Sequence, residues 1–135
     1  MKKQILNCLV LLSLGVMLLS SCKKEGDDDK NGQNERKVKY ELSGTFTGKL
    51  LVVTSTNSGQ LQQFNAVALP WTKELTYDKN VLGAGMSLQT ENENKGIAGQ
   101  TMTLKVFLNG QLKDTKPATA DVNGVVNMTT SFYTF

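Results

Sequence analysis

An all-β fold, a small antiparallel β-sandwich of immunoglobulin-like layering with seven or eight strands, is the class that residues 38–135 predict, and three observations carry it. Short segments alternate apolar and polar residues with a period of two, the pattern of strands with one wet face. Gly, Asn and Asp punctuate them at the short intervals that turns between antiparallel strands require. No window of 11 residues there carries helical spacing, and strands so spaced favour a two-sheet sandwich or a small barrel, of which the sandwich is preferred.

The chain has 135 residues, enough for one ordinary domain and too few for two with separate cores. Residues 1–21 read as a secretory leader: Met1-Lys2-Lys3 is positive, Ile5 to Leu19 is largely apolar, and Leu19-Ser20-Ser21-Cys22 closes it. The apolar stretch, about 15 residues, falls short of the roughly 20 that a permanent transmembrane helix needs. Leu19-Ser20-Ser21-Cys22 resembles the lipobox of bacterial lipoproteins, in which the cysteine thiol receives diacylglycerol before cleavage exposes its amine. Cys8 lies inside the leader, so Cys22 stands alone in the mature chain and no disulfide is expected within one molecule. An unpaired thiol in an oxidising compartment is uncommon, which favours lipidation of Cys22. Two or more acyl chains give stable membrane attachment where one does not.

Residues 22–37 are expected to form an acylated, solvated tether. Lys23, Lys24, Glu25, Asp27, Asp28 and Asp29 follow the cysteine, and residues 23–37 contain no apolar side chain whose burial could offset ordering entropy. The run resembles the acidic lipoprotein export signal of Bacteroidetes, which implies the outer leaflet of the outer membrane and exposure at the cell surface. Asp27, Asp29, Asn31 and Gly32 also match the start of a calcium loop. Val38 stands where the bidentate Glu belongs, and no flanking helix braces the loop, so no metal site is expected.

The clearest strand is Thr101 to Leu108, with Met102, Leu104, Val106 and Leu108 on one face. Asn109-Gly110 then predicts a two-residue type I′ turn, because both central residues need positive φ, with Gln111-Leu112-Lys113 returning as the partner. Other strands are expected at Lys39 to Ser43, Thr45 to Thr54, Gln60 to Leu69, Lys73 to Tyr77, Gly85 to Thr90 and Val125 to Tyr133. Loops are expected at Asn57-Ser58-Gly59, Glu91 to Gly99 and Asp121 to Gly124. The expected core draws on Phe46, Leu50, Val52, Phe64, Val67, Leu69, Trp71, Met86, Leu88, Leu104, Val106, Leu108, Met128 and Phe132.

Composition argues against catalysis and against nucleic acid. Loss of Lys2 and Lys3 with the leader takes the 15 Lys and Arg to 13, against 12 Asp and Glu, a near-neutral mature chain with no visible cluster of Arg among aromatics. There is no His, hence no usual general base and no imidazole ligand. Neither a G-x-S-x-G, an S-x-x-K, a Walker loop nor a dinucleotide glycine pattern occurs in residues 38–135, so a non-enzymatic protein without a cofactor is expected.

Val38-Lys39-Tyr40-Glu41-Leu42-Ser43-Gly44, Leu69-Pro70-Trp71, Met86-Ser87-Leu88-Gln89, and Val106 followed by Asn109-Gly110 resemble, in order and spacing, the soluble domain of the mycobacterial membrane protein small (MmpS) family. The resemblance spans nearly all of residues 38–133. It implies a β-sandwich and an accessory role, without catalytic residues, beside a large transporter that exports lipids or siderophores. Two departures stand against transfer of the partner: members usually keep an uncleaved transmembrane helix, and they often carry a cysteine pair in the domain.

Two functional expectations follow, an accessory or interaction module of an envelope or transport assembly, and a surface module that binds an extracellular glycan or host protein. Trp71 beside Pro70 is a candidate stacking platform for a sugar ring, though a lone Trp more often anchors a core. Phe132, Tyr133 and Phe135 lie in a terminal segment with no charge after Gly124, either a central strand or a docking surface, and central placement is favoured. Lys113 to Ala118, with Pro117 removing a donor, reads as a protected edge.

Overall fold

The computed structural model describes residues 35–130 and 132–135; the expected leader, Cys22 and the export-signal residues of the tether lie outside the described residues. Ten strands follow in order: β1 (Lys37–Gly44), β2 (Leu50–Ser55), β3 (Leu61–Val67), β4 (Trp71–Thr76), β5 (Gly83–Ala84), β6 (Met86–Thr90), β7 (Thr101–Leu108), β8 (Gln111–Thr119), β9 (Asn127–Thr129) and β10 (Tyr133–Thr134). They build two antiparallel sheets of four, ordered β4-β1-β7-β8 and β3-β2-β6-β9, and a two-stranded pair β10-β5. The all-β sandwich expected from the sequence is the fold observed, with ten strands among the described residues in place of the seven or eight expected, because the short β5 and β10 form a separate pair. Its first two strands lie in opposite sheets, so the chain crosses the core at once.

Period-two alternation positions the core. In β1, Val38, Tyr40 and Leu42 are buried while Lys37, Lys39 and Glu41 face outward; in β7, Met102, Leu104 and Val106 are buried. Leu50 and Val52 of β2 and Met86 and Leu88 of β6 come from the other sheet, and all belong to one buried cluster, so the sheets pack face to face. Each such aliphatic side chain, fully buried, contributes about 1.5–3 kcal/mol. These four strands are the inner strands of their sheets.

The turn between β7 and β8 is the one expected: Asn109 and Gly110 have φ of 49° and 79°. It is also tied to β1, because Asn109 Oδ1 accepts the Lys37 N–H at 3.0 Å and the Asn109 N–H donates to Lys37 O at 2.8 Å. The returning strand β8 runs on to Thr119, and it is an edge, as the Lys113 to Ala118 reading expects.

Several expectations are corrected. The strand expected from Thr45 starts only at Leu50: Gly44 has φ 135°, and the Thr45 and Phe46 N–H groups both donate to Thr101 O, which folds the chain over the start of β7. The strand expected from Gly85 begins at Met86 as β6, and a separate two-residue strand, β5 (Gly83–Ala84), precedes it. The terminal segment is not a central strand: β9 pairs with β6 alone, at the sheet edge. Its ladder stops because the Thr130 hydroxyl, at 2.7 Å, takes the Met86 N–H that a continuing ladder would give to a backbone carbonyl. The chain then turns away, and β10 pairs with β5, Tyr133 opposite Ala84. Phe132, expected in the core, is accordingly 66% exposed. Phe64, Leu69, Trp71 and Leu108 pack against the core only half-buried, and Tyr40 and Tyr77 are buried members that the expected core omitted.

Candidate functional site

The two sheets present outer faces of opposite character. On the first sheet Lys37, Lys39 and Glu41 of β1 stand beside Glu74 of β4 and Lys105 of β7. Ion pairs join Lys37 to Glu74 at 2.9 Å and Lys39 to Glu41 at 2.8 Å, and Lys39 Nζ lies 4.4 Å from the Phe107 ring centre. The second sheet turns Leu51, Val53 and Ser55 of β2 outward, with Leu61, Gln63 and Asn65 of β3, Ser87 and Gln89 of β6, and Asn127 and Thr129 of β9. None of these side chains is charged. The alternation that builds the core thus also fixes an amide, hydroxyl and aliphatic surface on the opposite side of the same strands.

A groove of about 600 Å³ opens on this uncharged face, floored by Val53, Ser87 and Thr129 and bounded by Leu61, Leu82 and Phe132. Those three are 82%, 78% and 66% exposed, which makes the groove rim a concentration of large apolar side chains facing water. Two smaller depressions continue along the face: one shares Val53 and Ser87 with the groove, and the next shares Leu51 and Gln89 with the first and ends at Glu91.

Phe132 is set in place by glycine. A Cβ built on Gly83 would lie 2.7 Å from the Phe132 ring and 2.3 Å from Tyr133 O, so the ring rests where only a bare backbone fits. The segment is further held by the Phe135 N–H donating to Leu82 O at 3.0 Å. Tyr133 donates its hydroxyl to Asp114 Oδ2 at 2.6 Å. Burial, reinforced by that carboxylate, holds the Tyr133 phenol well above its ordinary titration range. Phe132 therefore rests its Cε1–Cζ edge against Gly83 while most of the residue stays exposed. An apolar rim around neutral hydrogen-bonding groups suits an uncharged ligand, since no side-chain ion of the groove lining needs desolvation.

The residues singled out from sequence separate here. Phe132 is at the groove. Tyr133 and Phe135 are half-buried and serve to pin the segment: Phe135 packs 5.2 Å from the Tyr77 ring centre, beneath the Arg36 guanidinium at 5.8 Å. Trp71 lies elsewhere, half-buried against the core in an edge-to-face contact with Phe64 at 5.7 Å, in keeping with an anchoring role. Cys22, Lys23, Lys24, Glu25, Asp27, Asp28 and Asp29 fall outside the described residues. Leu61, Leu82, Gln63 and Gln89 were not anticipated; the sequence signal was the lack of charge at alternate positions of four separate strands. No protein-family model matches the chain, and no curated protein matches it significantly.

Proposed function

We propose that this protein is a non-enzymatic lipoprotein, held at the cell surface by lipid on Cys22, whose domain binds a neutral polyhydroxylated ligand, an extracellular glycan, along the outer face of β3-β2-β6-β9. One observation carries the reading: that face is uncharged over four strands and is grooved beside an aromatic side chain that is 66% exposed. Sugar rings offer apolar C–H faces for stacking and hydroxyls that both donate and accept. Phe132 supplies the first partner, and the side chains of Gln63, Gln89, Asn127 and Thr129 supply the second. The acidic run after Cys22 supports placement at the surface through its likeness to an export signal.

The test is retention of neutral and of anionic polysaccharides by cells that express the full chain. Neutral polysaccharide should be retained, and Phe132→Ala should reduce retention tenfold or more at unchanged surface display. Gly83→Ala, which displaces the ring without removing it, should act in the same direction. Retention unaffected by both variants, or confined to anionic polymers, overturns the reading. Capture of an envelope transport protein in place of glycan would replace it with the accessory role.

A further inference from the structure

We infer that two copies of this protein pair through β3, antiparallel about a twofold axis at Gln63, so that their uncharged sheets join edge to edge. Four strands end the two main sheets: β4, β8, β3 and β9. An open edge is a row of unpaired backbone donors and acceptors, and it is normally blunted by charge, proline or brevity. Three of the four are blunted. β4 carries Lys73 and Glu74, β8 carries Lys113, Asp114 and Lys116 with Pro117, and β9 has three residues. β3 is seven residues long, without charge or proline.

What pairs with it follows from its own side chains. Its flat run is Leu61 to Asn65, because Ala66 has φ 51° and gives its N–H to Glu91 Oε1 at 2.7 Å. Turned antiparallel on itself about Gln63, this run sets Leu61 opposite Asn65, Gln62 opposite Phe64, and Gln63 opposite Gln63. No charge meets a like charge, and the exposed Gln63 amide, which donates to Asn65 Oδ1 at 2.8 Å, comes to lie against its own copy. The strand has no charge of its own to pair with a basic or acidic strand. The charges beside it are one of each sign, Glu91 at Ala66 and Lys73 Nζ 5.1 Å from the Phe64 ring centre, which favours a neutral second copy over a charged peptide. The pairing continues the grooved face from one molecule into the next and stands independently of what the groove binds.

The experiment uses the full chain displayed on cells and oxidised with copper phenanthroline. Opposed residues bring Cβ atoms about 4.5–5.5 Å apart, within reach of a disulfide after small adjustment. Gln63→Cys should give a disulfide dimer of twice the chain mass, whereas the parent chain and Lys113→Cys, on the blunted edge, give none. Leu61→Cys and Asn65→Cys should crosslink when co-expressed and not when expressed singly, which reads the register directly. No dimer from either arrangement, equal dimer from Lys113→Cys, or an adduct of another mass at Gln63→Cys overturns the proposal.

Discussion

The Tyr133 hydroxyl donates a 2.6 Å hydrogen bond to Asp114 Oδ2, joining the C-terminal strand β10 to the edge strand β8 of the charged sheet. Lys116 completes the arrangement, with Nζ 3.8 Å from the same carboxylate oxygen and 3.2 Å from Thr129 O. A hydrogen bond to a charged acceptor contributes about 1.5–3 kcal/mol when shielded, and this one is only partly so. Tyr133→Phe should therefore lower stability by about 1 kcal/mol, read as a lower denaturant midpoint at unchanged slope.

Alkali should destabilise the domain through two tyrosines. Tyr40 and Tyr133 both titrate well above the ordinary value near 10, each chiefly because burial disfavours the phenolate. Between that value and the folded-state values the unfolded chain holds fewer protons than the folded one, so stability falls as pH rises. The contribution is complete below about pH 10 and is lost progressively above it. Unfolding free energy measured from pH 9 to 12 should drop, and the drop should be shallower in Tyr133→Phe.

Tyr40 is wholly buried, close to the Thr54 and Tyr77 hydroxyls, yet its own hydroxyl forms no hydrogen bond. Tyr77 is engaged instead with Ser55, whose Oγ donates to it at 3.0 Å. An unmet buried hydroxyl costs about 1–3 kcal/mol, so Tyr40→Phe should leave stability unchanged or raise it. A loss above 1 kcal/mol in thermal or denaturant unfolding would mean that an ordered water satisfies the group.

The loops at one end of the sandwich close over Phe46 through glycines. A Cβ on Gly96 would lie 2.4 Å from the Phe46 ring, whereas a Cβ on Gly99 meets nothing within 4 Å. Gly96→Ala should cost about 1–3 kcal/mol through overpacking. Gly99→Ala, at φ 82°, should cost about 1 kcal/mol from backbone strain alone. Equal midpoints for the two variants would show that the Phe46 ring moves freely aside.

Local features of this fold were legible, and pairings across the chain were not. The β7-β8 hairpin was readable because four alternating apolar residues and Asn109-Gly110 are contiguous. The edge position of β8 was readable because charge and Pro117 mark it within one segment. The end of β9 depends on a hydroxyl of Thr130 meeting Met86, 44 residues away, and no local pattern reports that contact. Phe132 was misassigned for the same reason: alternation places it inward only if β9 continues. The grooved face was present as uncharged residues at alternate positions, but it becomes a surface only once β2, β3, β6 and β9 are known to be neighbours.

The polypeptide enters the described domain at β1, and β1 lies between β4 and β7, bonded to both along its length. Tension applied through the residues before Lys37 runs along the strand and across its hydrogen bonds, which lie perpendicular to it. The two ladders are then loaded in shear, and their bonds must fail together instead of one at a time. The end of the domain on which the proposed lipid anchor would pull is by this arrangement held through two full ladders at once.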